Sequence, residues 1–228
     1  MKIIAFILTL FLFLTCVKNE TFQEVPEIQQ TFSYLALGDS YTIGQSVPEN
    51  GRWPVQLVAK LDTLGIEVDS LKIIAQTGWT TANLQNAMDQ EVLEDFDMVS
   101  LLIGVNNQYQ GSDMEVFEKG FVDLLQRAVL IAGGTEKVFI VSIPDYGVTP
   151  FGAGNSEQIA EELDAYNTFM QQTCMDQDIH FVDITEISRD LGDGPNALAP
   201  DNLHPSAYQY NIWAEEILPM AVEILEEE

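Results

Sequence analysis

The sequence has few basic residues. Nine Lys and Arg stand against 36 Asp and Glu in 228 residues, which gives a formal net charge of −27. A nucleic-acid-binding protein needs a basic surface to neutralise phosphates, and nine scattered cations cannot supply one. The same acidity opposes attachment to anionic lipid headgroups through charge. Nucleic acids and anionic membrane surfaces are therefore excluded as electrostatic partners.

Cysteine is scarce as well, with two residues in the whole sequence. Cys16 lies near the N-terminus, so a chain exported and cut there would keep Cys174 as its interior cysteine. We therefore expect no internal disulfide, and we expect Cys174 to be an ordinary buried residue. Because there is no CxxC motif and no cluster of His and Cys, the sequence predicts no zinc site.

Long apolar runs are also missing, except for one at the N-terminus. Lys2 precedes a largely apolar segment at residues 3–14. About a dozen apolar residues after one cation is typical of a signal peptide and is too short to span a bilayer. We therefore predict a signal peptide at residues 1–16 and an exported protein.

Cys16 follows this run directly and resembles the lipidated cysteine of a bacterial lipoprotein signal. The residues just before it lack the small side chain that is usual there. A periplasmic or outer-membrane lipoprotein is favoured over a freely secreted protein, with a membrane tether through Cys16. Residues 17–31 are then a polar linker, and residues 32–228 form one folded domain.

Beyond the linker, short apolar runs alternate with segments of helical spacing. Strands are predicted at residues 34–37, 71–75, 98–103, 137–143 and 179–184. Helices are predicted near residues 53–64, 81–90, 114–131, 156–176 and 206–225. This alternation favours an α/β fold in which helices cover both faces of a five-stranded parallel sheet.

Polar segments stand at the ends of the predicted strands and before the last helix. They are Gly38-Asp39-Ser40, Gln76-Thr77-Gly78-Trp79, Gly104-Val105-Asn106-Asn107 and Asp201-Asn202-Leu203-His204-Pro205. Each alone is also typical of an ordinary turn. Ligands of parallel sheets bind beyond the carboxyl ends of the strands, so their joint placement predicts one pocket.

Ser40 is the candidate nucleophile of this pocket, and a serine needs a base that is itself oriented by a carboxylate. His180 lies inside the predicted fifth strand, where we expect a structural role. His204 lies in a polar loop, three residues after Asp201. This spacing lets the carboxylate accept from one ring nitrogen while the other faces Ser40.

Acyl transfer also needs hydrogen-bond donors for the developing oxyanion. The candidates are the backbone N–H groups of Ser40 and Gly78 and the side-chain amide of Asn106. A glycine at 78 permits close approach of the backbone to a substrate. For Asp39, which adjoins the nucleophile, we expect a structural role through backbone hydrogen bonds in the turn.

The four segments resemble, in the same order, the four sequence blocks of the SGNH (GDSL-type) hydrolases. The matching residues are Gly38-Asp39-Ser40, Gly78, Gly104-x-Asn106 and Asp201-x-x-His204-Pro205. The resemblance implies a flavodoxin-like three-layer α/β/α sandwich and ester hydrolysis without metal or organic cofactor.

The resemblance also implies a role for each matching residue. Ser40 is the nucleophile, His204 the base and Asp201 its partner, while Ser40, Gly78 and Asn106 donate to the oxyanion. In the family the third block usually ends in Asn-Asp, whereas Asn107 stands here. We expect activity to survive this difference, with altered loop hydrogen bonding or substrate preference.

Three functions fit these residues. The first is a carboxylic-ester hydrolase acting on acyl or acetyl esters, including acetylated carbohydrate. The second is a lysophospholipase or thioesterase of the same fold. The third is a lipoprotein that binds glycans without catalysis, which the intact Ser40, Asp201 and His204 disfavour.

Loop residues after the strands are candidates for substrate contacts. The aromatic ones are Tyr41, Trp79, Tyr109, Tyr146 and Phe151. The segment at residues 144–154 is long for its connection and is the best candidate for a mobile loop over the site. The net acidity is expected to repel polyanionic substrates and to favour uncharged small-molecule or carbohydrate esters.

Overall fold

A five-stranded parallel sheet forms the centre of the structure. The structure, a computed structural model, describes residues 30–93 and 95–226. The strands are β1 (Thr31–Gly38), β2 (Glu67–Ala75), β3 (Met98–Leu102), β4 (Val138–Val141) and β5 (His180–Val182). They pair in the order β2-β1-β3-β4-β5, and every pairing is parallel. The predicted five-stranded parallel sheet is confirmed.

Eight α-helices accompany the strands within the described residues. They are α1 (Ser40–Ile43), α2 (Trp53–Thr63), α3 (Thr81–Met88), α4 (Val105–Tyr109), α5 (Met114–Ala132), α6 (Ser156–Gln177), α7 (Thr185–Leu191) and α8 (Ala207–Glu226). Helix α2 packs against α8, whereas α5 packs against both α3 and α6. Two helical groups therefore cover the sheet, which confirms the three-layer α/β/α sandwich.

The burial of the central strands explains why the sequence predicted them correctly. All five residues of β3 and all four of β4 are buried, because neighbouring strands and both helical layers surround them. Strands buried on both faces read as continuous apolar runs. The edge strand β2 is more exposed and carries polar residues over its first half, so its predicted start at residue 71 was four residues late.

The interior is one continuous apolar core within the described residues. Its largest fully buried side chains include Trp53, Trp213, Tyr34 and Tyr210. Cys174 is also fully buried, as predicted, and burial raises the pKa of its thiol to about 12.

The described part of the chain contains no helix both long and apolar enough to cross a membrane. The predicted signal peptide at residues 1–16 lies outside the described residues. So does the predicted linker at residues 17–31, apart from its last two positions.

Candidate active site

The strand order creates a crevice above the middle of the sheet. Strands β1 and β3 are neighbours, but the connection that leaves β1 runs to β2 on one side and the connection that leaves β3 runs to β4 on the other. Such a switch point is where open α/β sheets bind ligands. Ser40 follows β1, Gly78 follows β2 and Asn106 follows β3, and all three line one cavity of about 260 Å³. His204 lines the same cavity.

The turn after β1 places Ser40 at the first position of helix α1. Asp39 caps this helix, because its Oδ1 accepts a hydrogen bond from the Tyr41 N–H at 3.0 Å. Gly38 leaves no room for a side chain: a Cβ there would overlap Thr42 Oγ1 and lie 2.5 Å from the carbonyl oxygen of Leu102. The glycine and the aspartate therefore fix where Ser40 enters the cavity.

Asp201 holds His204 through both of its carboxylate oxygens. Oδ2 lies 2.8 Å from His204 Nδ1, while Oδ1 accepts from the backbone N–H groups of Leu203 and His204 at 3.0 and 2.9 Å. The loop is fixed in turn because the Ala199 N–H donates to the carbonyl of His204 at 2.8 Å. The predicted contact between the carboxylate and the imidazole is therefore present in the structure.

A further hydroxyl contacts this carboxylate. Ser46 Oγ donates to Asp201 Oδ2 at 2.5 Å, although 155 positions separate the two residues. Partial burial alone would raise the pKa of Asp201, but hydrogen bonds from Ser46, His204 and Leu203 outweigh it and lower the pKa to about 2. Asp201 is thus an ionised, acceptor-only group at neutral pH, and His204 Nδ1 must carry the proton between them.

Asn106 is held by two acceptors of the protein. Its Nδ2 donates to the carbonyl of Trp79 at 2.9 Å and to Asp39 Oδ2 at 3.4 Å. Both neighbours accept hydrogen bonds, so the nitrogen of the amide, and not its oxygen, must face them. A substrate oxygen would have to replace the longer bond to Asp39 in order to receive this N–H.

Asp39 therefore does more than cap helix α1. It is fully buried and touches the backbone of Tyr41 through one oxygen and the amide of Asn106 through the other. Burial raises the pKa of Asp39 to about 7, against the opposing effect of these hydrogen bonds. The expected structural role is present, and a side-chain contact with the site was missed.

Gly78 has a φ of +84°. A Cβ at this position would meet no atom within 4 Å, so conformation rather than space requires the glycine.

The described residues hold no group of three or more His, Cys, Asp or Glu that could bind a metal ion. His180, the second histidine, lies in β5 and does not line the cavity.

The model of the GDSL-like lipase/acylhydrolase family matches residues 36–212, which is most of the chain. The chain belongs to this family of hydrolases. The matched segment contains every candidate site residue, from Ser40 to His204. No curated protein matches the sequence.

Solved structures share the fold of this GDSL-like hydrolase at low sequence identity. An acetylxylan esterase from Geobacillus stearothermophilus is 22% identical, with a TM-score of 0.62 over 83% of this chain and 94% of that one. The esterase EstA from Pseudoalteromonas sp. is 16% identical, with a TM-score of 0.60 over 83% and 96%. A lipolytic G-D-S-L protein from Veillonella parvula DSM 2008 is 18% identical, with a TM-score of 0.62 over 83% and 97%.

The structure explains how this GDSL-like chain accommodates Asn107. Its Oδ1 accepts from the Thr81 N–H at 3.0 Å, and its Nδ2 donates to Thr81 Oγ1 at 3.1 Å. Both residues are buried. Asn107 thus joins the start of α3 to helix α4 and does not line the cavity.

Four of the five aromatic candidates line the cavity: Tyr41, Tyr109, Tyr146 and Phe151. The prediction for Trp79 was wrong, because its side chain packs against the core and its contribution is the carbonyl that accepts from Asn106. Val105 and Leu203 also line the cavity and were not singled out from the sequence.

The segment at residues 144–154 brings Tyr146 and Phe151 to the cavity, as expected for a loop beside the site. Its first part is well anchored. Asp145 is buried and accepts hydrogen bonds from the Gly147 N–H at 2.7 Å and from Arg189 Nε at 3.0 Å. The mobility of this loop stays a prediction.

Proposed function

We propose that this GDSL-like hydrolase cleaves carboxylic esters through an acyl-enzyme formed on Ser40. The observation that carries the proposal is the placement of Ser40, Gly78, Asn106 and His204 around one cavity, with Asp201 bonded to His204. A hydroxyl nucleophile, an oriented base and clustered N–H donors are the groups that acyl transfer from a serine requires.

In the first step, Ser40 Oγ attacks the ester carbonyl while His204 Nε2 takes the hydroxyl proton. The oxygen–carbon bond forms as the carbonyl electrons move onto its oxygen, which the N–H groups of Ser40, Gly78 and Asn106 stabilise. The negative charge of Asp201 stabilises the imidazolium that results. Collapse of the intermediate expels the alcohol, which takes the proton from His204.

In the second step, water replaces the alcohol. His204 removes a proton from the water as it attacks the acyl carbonyl, and the same N–H groups receive the oxyanion. When the intermediate collapses and the carboxylic acid is released, His204 returns its proton to Ser40 Oγ. The cycle needs only the ester and water: the proton of Ser40 leaves on the alcohol, and one proton of the water restores the Ser40 hydroxyl.

The deciding experiment combines a fluorophosphonate probe with hydrolysis of p-nitrophenyl acetate. Wild type should be labelled and active, and Ser40→Ala should lose both properties. Ser70→Ala is the matched control, because Ser70 is exposed on edge strand β2. Ester hydrolysis that persists in Ser40→Ala would disprove the mechanism. An unlabelled, inactive wild type would favour the non-catalytic glycan-binding alternative.

A lysophospholipase or thioesterase is the second candidate, because Val105, Leu203 and Phe151 give the cavity apolar walls that an acyl chain would also fit. The small cavity volume of about 260 Å³ favours short acyl groups. Hydrolysis rates measured from acetate to octanoate esters, and on acetyl and octanoyl thioesters, separate the two. A marked preference for long chains or thioesters would replace the short-ester assignment.

We also propose that the protein is exported and tethered through Cys16. The proposal rests on the apolar segment at residues 3–14 and the cysteine that follows it. Cys16→Ala should move the protein from the membrane fraction to the soluble one. An unchanged distribution of this variant would leave the tether without support.

A further inference from the structure

A second cavity adjoins the catalytic one across a wall of aromatic side chains. It has a volume of about 440 Å³, within the range of roughly 300 to 1,000 Å³ that is usual for small-molecule sites. Tyr109, Tyr146 and Phe151 line both cavities, and their ring centroids lie 5.7 to 6.2 Å apart. Tyr109 and Phe151 are 58% and 54% exposed, so their rings are open to a ligand.

The other wall of this second cavity is polar. Gln108, Asn155, Gln158 and Glu162 line it, and none of them lines the catalytic cavity. Gln108 Nε2 donates to one oxygen of Glu162 at 2.6 Å, and Gln158 Nε2 donates to the other at 2.8 Å. These bonds lower the pKa of Glu162.

The same network reaches the catalytic cavity. Tyr146 donates its hydroxyl to Gln108 Oε1 at 2.9 Å, so Tyr146, Gln108, Glu162 and Gln158 form a continuous chain of hydrogen bonds. Each carboxylate oxygen of Glu162 accepts one bond and can accept another, and each amide nitrogen has a second N–H. The wall therefore offers fixed donors and acceptors side by side.

We propose that the second cavity binds the alcohol part of the substrate and that this alcohol is an uncharged sugar. The inference rests on the proposed ester hydrolysis at Ser40, and it assigns the substrate class. Sugar hydroxyls both donate and accept hydrogen bonds, which matches amides around an ionised carboxylate. The apolar face of a sugar ring matches exposed aromatic rings.

Other alcohol parts fit this cavity less well. Glu162 would repel a phosphate or a carboxylate beside it, and the protein as a whole is strongly acidic. A long alkyl chain would bury the second N–H of each amide and the remaining acceptor positions of Glu162 without partners, which is unfavourable. The acyl group then lies in the smaller apolar cavity next to Ser40, with the sugar beyond Tyr109 and Phe151.

The test compares an ester that needs both cavities with one that needs the catalytic cavity alone. For each variant, kcat/KM is measured on partially acetylated xylo- and cello-oligosaccharides and on p-nitrophenyl acetate, and the ratio is taken. Gln158→Ala and Glu162→Gln should each lower this ratio about two- to tenfold, the loss expected for one hydrogen bond. Glu161→Gln is the matched control, because it removes the same charge from an exposed neighbour on α6.

An unchanged ratio in both variants would overturn the sugar subsite. So would a preference of the wild type for acetylcholine, since a cation could also lie against the rings and Glu162. Wild type that fails to hydrolyse p-nitrophenyl acetate would instead overturn the proposed function. Calorimetry measures binding independently of hydrolysis. Ser40→Ala should bind unacetylated xylotetraose or cellotetraose more tightly than the double variant Ser40→Ala/Gln158→Ala. Equal affinities of the two variants would contradict the subsite.

Discussion

His204 receives both its orientation and its backbone position from Asp201. One carboxylate oxygen lies 2.8 Å from the ring Nδ1, and the other accepts from the backbone N–H of His204 at 2.9 Å. Because the carboxylate is ionised, Nδ1 carries the proton and Nε2 is left as the acceptor. In the mechanism we propose, this tautomer leaves Nε2 able to take the proton of Ser40.

Asp201→Asn should move the proton of the His204 imidazole from Nδ1 to Nε2. The two backbone N–H groups of Leu203 and His204 require the oxygen of the new amide, so its NH₂ must face His204 Nδ1. The imidazole would then carry its proton on Nε2, where it cannot act as a base towards Ser40. We expect kcat on p-nitrophenyl acetate to fall on the order of 10³- to 10⁴-fold.

Asp62→Asn is the control for this substitution, since Asp62 is exposed on α2 and far from the site in the fold. It should keep wild-type kinetics. If Asp201→Asn stayed within tenfold of wild type, the tautomer argument would fail.

Ser46 supports the same carboxylate from the loop after α1. Its φ is +67°, a conformation that suits glycine better than other residues. Ser46→Ala and Ser46→Gly both remove the hydroxyl that donates to Asp201, so kcat/KM should fall by about three- to tenfold in each. Thermal unfolding should separate them, with the glycine variant more stable by about 1 kcal/mol. Full activity in both variants would show that the hydroxyl is dispensable.

Asn106→Ala removes the side-chain donor proposed for the oxyanion. The expected loss in kcat is about 10²- to 10³-fold, the usual effect of deleting one such donor. Ser40 keeps its base, so the variant should still react with a fluorophosphonate probe, only more slowly. Unchanged turnover of p-nitrophenyl acetate would exclude Asn106 from the oxyanion site.

Asn107 and Thr81 provide a test of the departure from the family pattern. Asn107→Ala leaves the buried Thr81 N–H without its acceptor and should lower the free energy of unfolding by about 1 to 3 kcal/mol. Asn107→Asp restores the usual residue and can accept from both the N–H and the hydroxyl of Thr81. Denaturant unfolding and ester hydrolysis should show an active protein, more stable than the alanine variant. Equal losses in both variants would contradict this account.

The raised pKa of Asp39 makes the free energy of unfolding depend on pH. Its folded pKa of about 7 lies above the ordinary value of 3.8, so between these values the folded state holds a proton that the unfolded state has lost. The stabilisation from this group is therefore present at low pH and is lost as pH rises through 7, by about 3 kcal/mol between pH 5 and pH 8. Asp201, whose pKa is about 2, contributes equally at both pH values.

The measurement is the free energy of unfolding of wild type and Asp39→Asn at pH 5 and pH 8. The decrease between these pH values should be smaller in the variant, which lacks the titrating group. Asp62→Asn serves again as the exposed control and should retain the wild-type decrease. The same decrease in Asp39→Asn as in wild type would rule out Asp39 as its source.

Sequence patterns located the central sheet well and the short helices poorly. Met98 to Leu102 is buried throughout, so its apolar run gave β3 to within one residue. Helices α4 and α7 are five and seven residues long and lack a full apolar repeat, so neither was predicted. Their helical form depends on the loops and strands around them rather than on their own composition.

The residues of the site likewise include some that the sequence predicted and some that it did not. Ser40, Gly78, Asn106 and His204 could be placed together because parallel strands end at one edge and each lies in a polar segment there. Ser46 could not, because nothing local indicates that its hydroxyl meets a carboxylate 155 residues later. The side chain of Trp79 is partly buried and packs against the core, an orientation set by tertiary packing that a loop position does not reveal.

The direction of β1 determines the end of the sheet at which the preceding chain enters the domain. The strand runs for eight residues from Thr31 to Gly38, about 25 Å, and the catalytic cavity lies beyond its carboxyl end. The preceding chain therefore joins the domain at the opposite end of the sheet. If Cys16 carries a lipid, that tether would enter the domain at the end opposite the cavity, so the point of attachment would not obstruct the mouth of the cavity.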